Sequence, residues 1–203
     1  MKKTIAIAIL SSFLLSACVS LITPKVQPEL SKLKAGAYSL DKTHARLLFK
    51  VTHLGLSTYV GRFNEFDASL EFDPENINAA KLSAVIEVGS LDINDAGLKD
   101  DLMGRSWFNQ SAYPQAVFES TSVRSVDGND FVFSGDLTWR GVTKPILVNA
   151  TFNGGANNIL SGKYTLGFSA KASFSRSDFG MDKFVPLVGN EVIIETYAEF
   201  LKN

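Results

Sequence analysis

From Tyr38 onward, apolar residues recur at every second position in one run after another, and this pattern constrains the fold more than any other feature. Strict alternation of apolar and polar residues predicts half-buried β-strands. The alternating runs occupy residues 45–51, 66–73, 82–88, 131–139, 146–152, 166–174 and 192–200. With a further strand at 117–126, the sequence predicts about eight strands, mostly joined as a meander through Gly-rich and Asn-rich turns at 127–130 and 153–158.

A closed antiparallel barrel gives every such strand a covered inner face and removes exposed sheet edges. The meander is interrupted at 95–108, where Leu98, Leu102 and Trp107 have helical spacing and Asn94 or Asp95 is available as an N-cap. An eight-stranded barrel is either filled by side chains or holds one small ligand. The small residues on the inner register are compatible with both: Ala45, Ala68, Ala84, Gly135, Ala150, Ala170, Ala172 and Ala198.

The N-terminus has the features of an export signal. Lys2 and Lys3 precede an apolar stretch at 5–15 that is shorter than the roughly 20 residues needed to span a bilayer. Residues 15–18 read Leu-Ser-Ala-Cys, which resembles the lipobox of bacterial lipoproteins. We therefore expect residues 1–17 to be a lipoprotein signal peptide, cleaved before Cys18, and Cys18 to carry the lipid.

The segment 18–36 contains Pro24 and Pro28 and lacks a clear period, so we interpret it as a lipidated tether to a domain at 37–203. Two or three acyl chains on Cys18 would bind a membrane firmly, whereas one chain holds weakly. Val19 stands where aspartate is the usual inner-membrane retention signal. The predicted location is therefore the cell envelope, lipid-anchored and facing the periplasm, with the outer membrane favoured.

Charge and cysteine content narrow the class of protein further. Loss of Lys2 and Lys3 from 20 basic residues leaves 18 against 21 acidic residues, a net charge of −3. That balance argues against a nucleic-acid partner, which would favour a basic surface. Cys18 is the only cysteine, so no intramolecular disulfide supports the fold.

An ordered set of short motifs extends over the domain. They are YSLDKTH at 38–44, FKVTHLG at 49–55, GRF at 61–63, WFN at 107–109, YP at 113–114, FES at 118–120, GDLT at 135–138, GVTKP at 141–145, SRSDFGM at 175–181 and VGNEV at 188–192. This set resembles the YceI-like family of bacterial polyisoprenoid-binding proteins over residues 37–200. The chain departs from the family pattern at three positions: Ala45 stands where serine is common, and Asn109 and Asn190 stand where aspartate is common.

The resemblance implies an all-β fold: a closed eight-stranded antiparallel lipocalin-like barrel, capped by one or two short helices. It also implies that the interior holds a long-chain apolar ligand, such as an isoprenoid or quinone lipid, with no other cofactor and no catalytic activity. The apolar residues expected to contact that ligand are Phe49, Val51, Phe66, Leu70, Phe72, Phe133, Trp139, Phe168, Phe174 and Ile194.

Two polar residues join this set of ligand-binding candidates. His53 shares the register of Phe49 and Val51, so it is either a core histidine bonded to a neighbour or a contact to a ligand head group at the barrel mouth. Arg176 continues the register of Phe174 and, if buried, must be paired. Its partner is then Asp178 or a glutamate, or else a charged head group.

Metal and catalytic sites receive little support from the sequence. His44 and His53 are an odd number of residues apart, which places them on opposite faces of a regular strand, so no metal site is predicted. The chain contains no G-x-S-x-G motif. Two alternatives to a binding protein remain open: a structural or interaction lipoprotein with a filled barrel, and a hydrolase-type enzyme using His53 with an acid such as Asp178.

Overall fold

The alternating runs form the strands of one antiparallel sheet. The computed structural model describes residues 24–203, apart from the side chains of residues 124–126. Cys18 and the predicted signal peptide therefore lie outside the described residues. The strands of the described chain are β1 (Gly36–His53), β2 (Ser57–Phe63), β3 (Phe66–Phe72), β4 (Lys81–Glu87), β5 (Leu91–Asp92), β6 (Gln115–Asp127), β7 (Asp130–Trp139), β8 (Val142–Asn157), β9 (Tyr164–Ser175) and β10 (Val188–Lys202).

Pairing of the first and last strands closes the barrel. Neighbouring strands follow the order β1–β3–β4–β6–β7–β8–β9–β10, and β10 pairs back onto β1. The eight-stranded antiparallel barrel is thereby confirmed. β1 is 18 residues long and is shared: its start pairs with β3 and its end pairs with β2, which in turn carries β5. These two additional strands were not predicted.

One α-helix lies in the predicted interruption of the meander. Helix α1 (Ala96–Met103) begins at Asp95, whose carboxylate accepts a hydrogen bond from the Leu98 backbone N–H at 2.9 Å. The predicted helix and its N-cap are therefore confirmed. Short 3-10 turns are present at Leu30–Lys32, Ile77–Ala79, Val88–Ser90 and Arg176–Phe179. Within residues 24–203, every helix is too short or too polar to cross a membrane.

The predicted turn at 153–158 is displaced towards the C-terminus. β8 continues through it to Asn157. Gly154 and Gly155 lie in this part of β8 and pack against the segment around Gln27, which precedes β1. Gln27 exchanges two backbone hydrogen bonds with Gly155, at 2.7 and 3.0 Å. A Cβ on Gly155 would lie 2.8 Å from Leu33, so glycine is required for this contact. Leu30 and Leu33 are buried in the core, so part of the segment interpreted as a tether packs against the barrel.

The two ends of the barrel differ. At the closed end, where β1 begins and β10 finishes, Leu33, Tyr38, Phe152, Leu166 and Phe200 are all buried. At the open end, His53 at the end of β1 pairs with Val188 at the start of β10. Helix α1 covers part of the open end, since Leu98 and Leu102 face the interior there.

Candidate ligand-binding cavities

An inner cavity of about 170 Å³ occupies the middle of the barrel. Its wall consists almost entirely of the inward-facing apolar side chains of the alternating runs. Eight predicted ligand-binding residues contribute to it: Phe66, Leu70, Phe72, Phe133, Trp139, Phe168, Phe174 and Ile194. Ala68, Ala84, Ala150, Ala170, Ala172 and Ala198 also line it, so the small residues of the inner register leave space here.

An outer cavity of about 390 Å³ lies between the inner cavity and the open end. The ends of β1 and β10, helix α1 and two connecting segments form its wall. The remaining predicted residues, Phe49, Val51, His53 and Arg176, all line it. The twelve predicted residues therefore divide between two neighbouring cavities, and their contact with a ligand stays a prediction.

A layer of aromatic side chains separates the two cavities. Phe63, Trp139, Phe174 and Ile194 line both of them, so the partition is one side chain thick. The Trp139 ring lies edge-on to Phe174 at 6.2 Å and 5.1 Å from Phe108. Within the described residues, the buried Trp139 Nε1–H has no hydrogen-bond partner. An unpaired buried donor is costly, which marks this atom as a site where a ligand acceptor would stabilise the complex.

Arg176 lies beside the outer cavity and is only 4 % exposed. Its guanidinium donates to four backbone carbonyls: Nε to Gly189 at 2.8 Å, Nη1 to Met181, and Nη2 to Lys183 and Val188 at 2.9 and 2.8 Å. The predicted ion pair with Asp178 or a glutamate is wrong. The reason is that β9 ends at Ser175 and a 3-10 turn begins at Arg176, which breaks the strand register.

The electrostatic surroundings of Arg176 follow from this arrangement. Burial lowers the pKa of its guanidinium, and the charge of Asp182 acts in the opposite direction. The face of Trp107 lies 5.3 Å from the guanidinium carbon and contributes a cation–π interaction. Arg176 thus holds the loop that follows it, and within residues 24–203 its bonding partners are carbonyls rather than carboxylates.

His53 is exposed at the mouth of the outer cavity. The interpretation as a core histidine is wrong, because β1 runs out at this residue and leaves the ring at the rim. Asp178 is also exposed, lies in the 3-10 turn after β9, and is not among the residues that line the cavity. Of the proposed catalytic pair His53 and Asp178, only His53 therefore lies at the entrance of the outer cavity.

A cluster of three polar side chains lies at an irregularity in β1. The register shifts between Leu40 and Ala45, and this brings Asp41, His44 and Glu199 together, with ligand atoms within 4.8 Å of one another. Hydrogen bonds from Thr43 and His44 lower the pKa of Asp41 to about 2, and Asp41 raises the pKa of His44. Regular strand spacing did not predict this cluster. It lies apart from both cavities, and local hydrogen bonds account for it.

Several lining residues were missing from the predicted set. Phe118, Phe131 and Phe200 line the inner cavity and share the alternating register, so the same signal identifies them in retrospect. Trp107, Met181 and Phe184 line the outer cavity from non-repetitive segments, where no period exists to reveal them. Of the positions that depart from the family pattern, Asn190 accepts a hydrogen bond from the Ser177 N–H at 3.0 Å, and Ala45 is buried.

A closed eight-stranded barrel with an apolar interior defines the class of this protein, and comparison with known proteins defines the family. The YceI-like domain matches residues 38–200, so the chain belongs to the YceI-like domain family. A relative from Yersinia pestis (strain Pestoides F), called a UPF0312 protein, is 39% identical over 149 residues, which cover 72% of this chain and 77% of the relative.

Solved structures show the same barrel. BcnA from Burkholderia cenocepacia aligns with a TM-score of 0.72 and 25% identity, over 79% of this chain and 98% of that one. A polyisoprenoid binding domain from Saccharophagus degradans, described as implicated in plant cell wall breakdown, aligns with a TM-score of 0.60 over 82% of this chain and 98% of that one. At 16% identity, this second similarity concerns the fold alone.

Proposed function

We propose that the barrel binds a long-chain apolar ligand, such as an isoprenoid or quinone lipid, and sequesters or carries it at the bacterial cell envelope. The observation that carries this proposal is the pair of apolar cavities lying in line between the closed end and the open mouth. A polyisoprenoid binding domain has the same fold, so the fold is compatible with this ligand class. Cavities of this size argue against a filled, purely structural barrel.

Cavity volumes indicate how such a ligand would lie. The inner cavity, at about 170 Å³, is similar to the roughly 150 Å³ space that holds benzene in an engineered protein core, so it accepts a short apolar segment. The outer cavity, at about 390 Å³, falls in the range of roughly 300–1,000 Å³ that is usual for small-molecule pockets. A long tail therefore has to displace the Trp139 and Phe174 rings to occupy both spaces.

Burial of the tail supplies the affinity in this proposal. Each Å² of apolar surface removed from water contributes about 25 cal/mol, and the inner wall offers apolar contact on all sides. The tail would point towards the closed end. The head group would then remain near His53 and Arg176 at the mouth, where polar atoms and solvent are available.

Binding accounts for the described residues better than catalysis does. A hydrolase using His53 needs an acid beside it, and the candidate Asp178 is exposed and absent from the cavity wall. A binding protein needs only the apolar wall and a polar rim, which both cavities together provide. We therefore propose a binding protein and assign no catalytic residue.

The proposed location rests on the sequence of the N-terminus. Residues 15–18 form the lipobox pattern, Cys18 is the only cysteine, and Val19 favours the outer membrane over the inner. Labelled palmitate supplied to the cells should be incorporated into the wild-type chain. The Cys18→Ser variant should incorporate none, and equal labelling of both chains would contradict the anchor.

Lipid extraction under denaturing conditions, followed by mass spectrometry, tests the binding function. Protein from native cells should release a stoichiometric amount of a long-chain apolar compound. Ala172 lines the inner cavity, so Ala172→Leu should fill it and reduce the amount released. Ser173 is the next residue and is exposed, so Ser173→Leu adds a side chain of the same size outside and should leave the amount unchanged. Wild-type protein that repeatedly releases no such compound would contradict the proposal.

A further inference from the structure

Five large apolar side chains are exposed around the mouth of the outer cavity. Leu56 is 86 % exposed, Leu187 58 % and Phe184 55 %, and Leu54 and Val185 are exposed as well. We call these five residues the apolar rim. They belong to two loops, the turn after β1 and the segment before β10.

The two loops form one surface. The Leu54 N–H donates to the Leu187 carbonyl at 2.7 Å, which joins the loops directly. The stretches 54–60 and 184–190 contain no charged residue, in a chain in which 20% of residues are charged. Contiguous exposed apolar surface of this kind marks an interaction site, because single scattered apolar residues are the normal condition elsewhere.

The structure holds the rim away from the core. Four carbonyls of the segment from Met181 to Gly189 accept hydrogen bonds from the buried Arg176 guanidinium, so the second loop is wrapped around a fixed centre. Leu54 and Phe184 have positive φ values of 53° and 62°, which bulky residues rarely adopt. The Arg176 bonds fix the backbone of the second loop, and the rim side chains of both loops are exposed.

The N-terminal segment of the chain is not the partner of this surface if cleavage occurs before Cys18. The bridge between Gln27 and Gly155 places that segment at the closed end. Nine extended residues from Cys18 to Gln27 reach about 30 Å. β10 rises about 40 Å along its length between Phe200 and Val188, which is about 30 Å along the axis of a barrel with strands tilted by roughly 40°. No residues would then be left to cover the apolar rim.

We propose that the apolar rim docks onto a phospholipid bilayer and sets the mouth of the outer cavity against it. Uncharged loops with projecting leucine, valine and phenylalanine side chains suit the boundary between head groups and acyl chains. The Lys183 ammonium lies 5.0 Å from the Phe184 ring and 5.9 Å from that of Trp107, at the edge of the rim. A lysine in that position can reach the lipid phosphates while its stem stays on apolar surface. Docking itself follows from this surface, whereas its use for ligand transfer rests on the proposed function.

Vesicle sedimentation of the mature chain, residues 18–203 with Cys18→Ser, tests the docking without a lipid anchor. The parent protein should sediment with vesicles of phosphatidylethanolamine and phosphatidylglycerol and be recovered in the pellet. The double variant Leu56→Asn/Leu187→Asn should bind at least about tenfold more weakly, since two apolar side chains are lost from the contact. The matched control Ile159→Asn/Leu160→Asn changes two side chains that are 60 % and 90 % exposed near the closed end, and should bind like the parent.

Several results would overturn the docking proposal. Absence of the parent from the pellet would do so, as would equal loss of binding by the rim variant and the control. So would a rim variant whose only defect, in analytical ultracentrifugation, is lost self-association, because the partner would then be a second copy of this chain. Lipid analysis of the same preparations separates the two proposals: vesicle binding without a carried lipid contradicts only the proposed function, and a carried lipid without vesicle binding contradicts only the docking.

Discussion

The two ends of the barrel are built from the same strands and yet differ in kind. At the closed end, buried Tyr38, Phe152, Leu166 and Phe200 meet a segment that enters before β1, and the sheet is sealed. At the open end, β1 ends and β10 begins beside loops that expose leucine and phenylalanine around an outer cavity of about 390 Å³. The closed end is packed like an ordinary protein core, whereas the open end leaves apolar side chains exposed to solvent.

Among the described residues, this difference places an entrance to the interior at the open end. A ligand that enters at the open end meets Arg176, His53 and Trp107 first, then the aromatic layer around Trp139, and then the inner cavity. Polar groups are concentrated on the first part of that path. The proposed orientation, with the tail towards the closed end and the head at the mouth, follows from this order.

The largest effect is expected at the open end. Arg176→Met removes the donor to four backbone carbonyls, and unpaired buried carbonyls are costly, so the free energy of unfolding should fall by about 3 to 5 kcal/mol. Urea unfolding measures this loss. Arg62→Met is the control: the Arg62 side chain is half exposed in its 2.6 Å ion pair with Asp92, and its loss should cost less than about 1 kcal/mol. Equal losses would remove the special role of Arg176.

Leu33→Ala tests whether the closed end includes the segment before β1. Leu33 is buried against the core, and truncation of a buried leucine costs about 2 to 4 kcal/mol. Leu160→Ala, at an exposed position near the same end, should change stability by less than about 0.5 kcal/mol. If thermal or urea unfolding of the two variants is the same, the segment is a loose tether as the sequence first suggested.

The pH dependence of stability should report on Tyr38. Burial, reinforced by Tyr164, raises the pKa of Tyr38 to about 12, so the unfolded chain releases this proton first as the pH rises. Stability from this group is complete below about pH 10 and should fall by about 2 to 3 kcal/mol between pH 10 and 12. Tyr38→Phe removes this dependence, so urea unfolding of the two proteins should converge at high pH. A constant difference between them across this range would contradict the prediction.

The smallest effect is expected from Trp139→Phe in the aromatic layer. Trp139→Phe keeps an aromatic ring between the cavities and removes an unpaired buried N–H, so stability should change by less than about 1.5 kcal/mol. Trp139→Ala loses the contacts with Phe108 and Phe174 and should cost about 3 to 5 kcal/mol. A loss from Trp139→Phe as large as that from Trp139→Ala would show that the indole N–H has a partner.

Alternation predicted much of the barrel because it is a local signal. The run at 66–73 corresponds to β3 (Phe66–Phe72), and the inward register of five runs contains the ten predicted apolar residues, all of which line a cavity. β2 was not predicted because Gly61 interrupts its alternation of apolar residues. Glycine is needed at this position because a Cβ there would lie 2.3 Å from the Phe49 ring of the neighbouring strand.

The sequence by itself determined which face of each strand is buried, where α1 begins, and the family to which the chain belongs. The tertiary structure decided what those faces enclose. Closure of β10 onto β1 and the division of the interior at Trp139 depend on residues far apart in the chain. The four carbonyls around Arg176 belong to a nearby loop without any period that would reveal them. Periodicity records the solvent exposure of a single strand. Which end of the barrel is sealed and which is open is settled only when distant segments pack together.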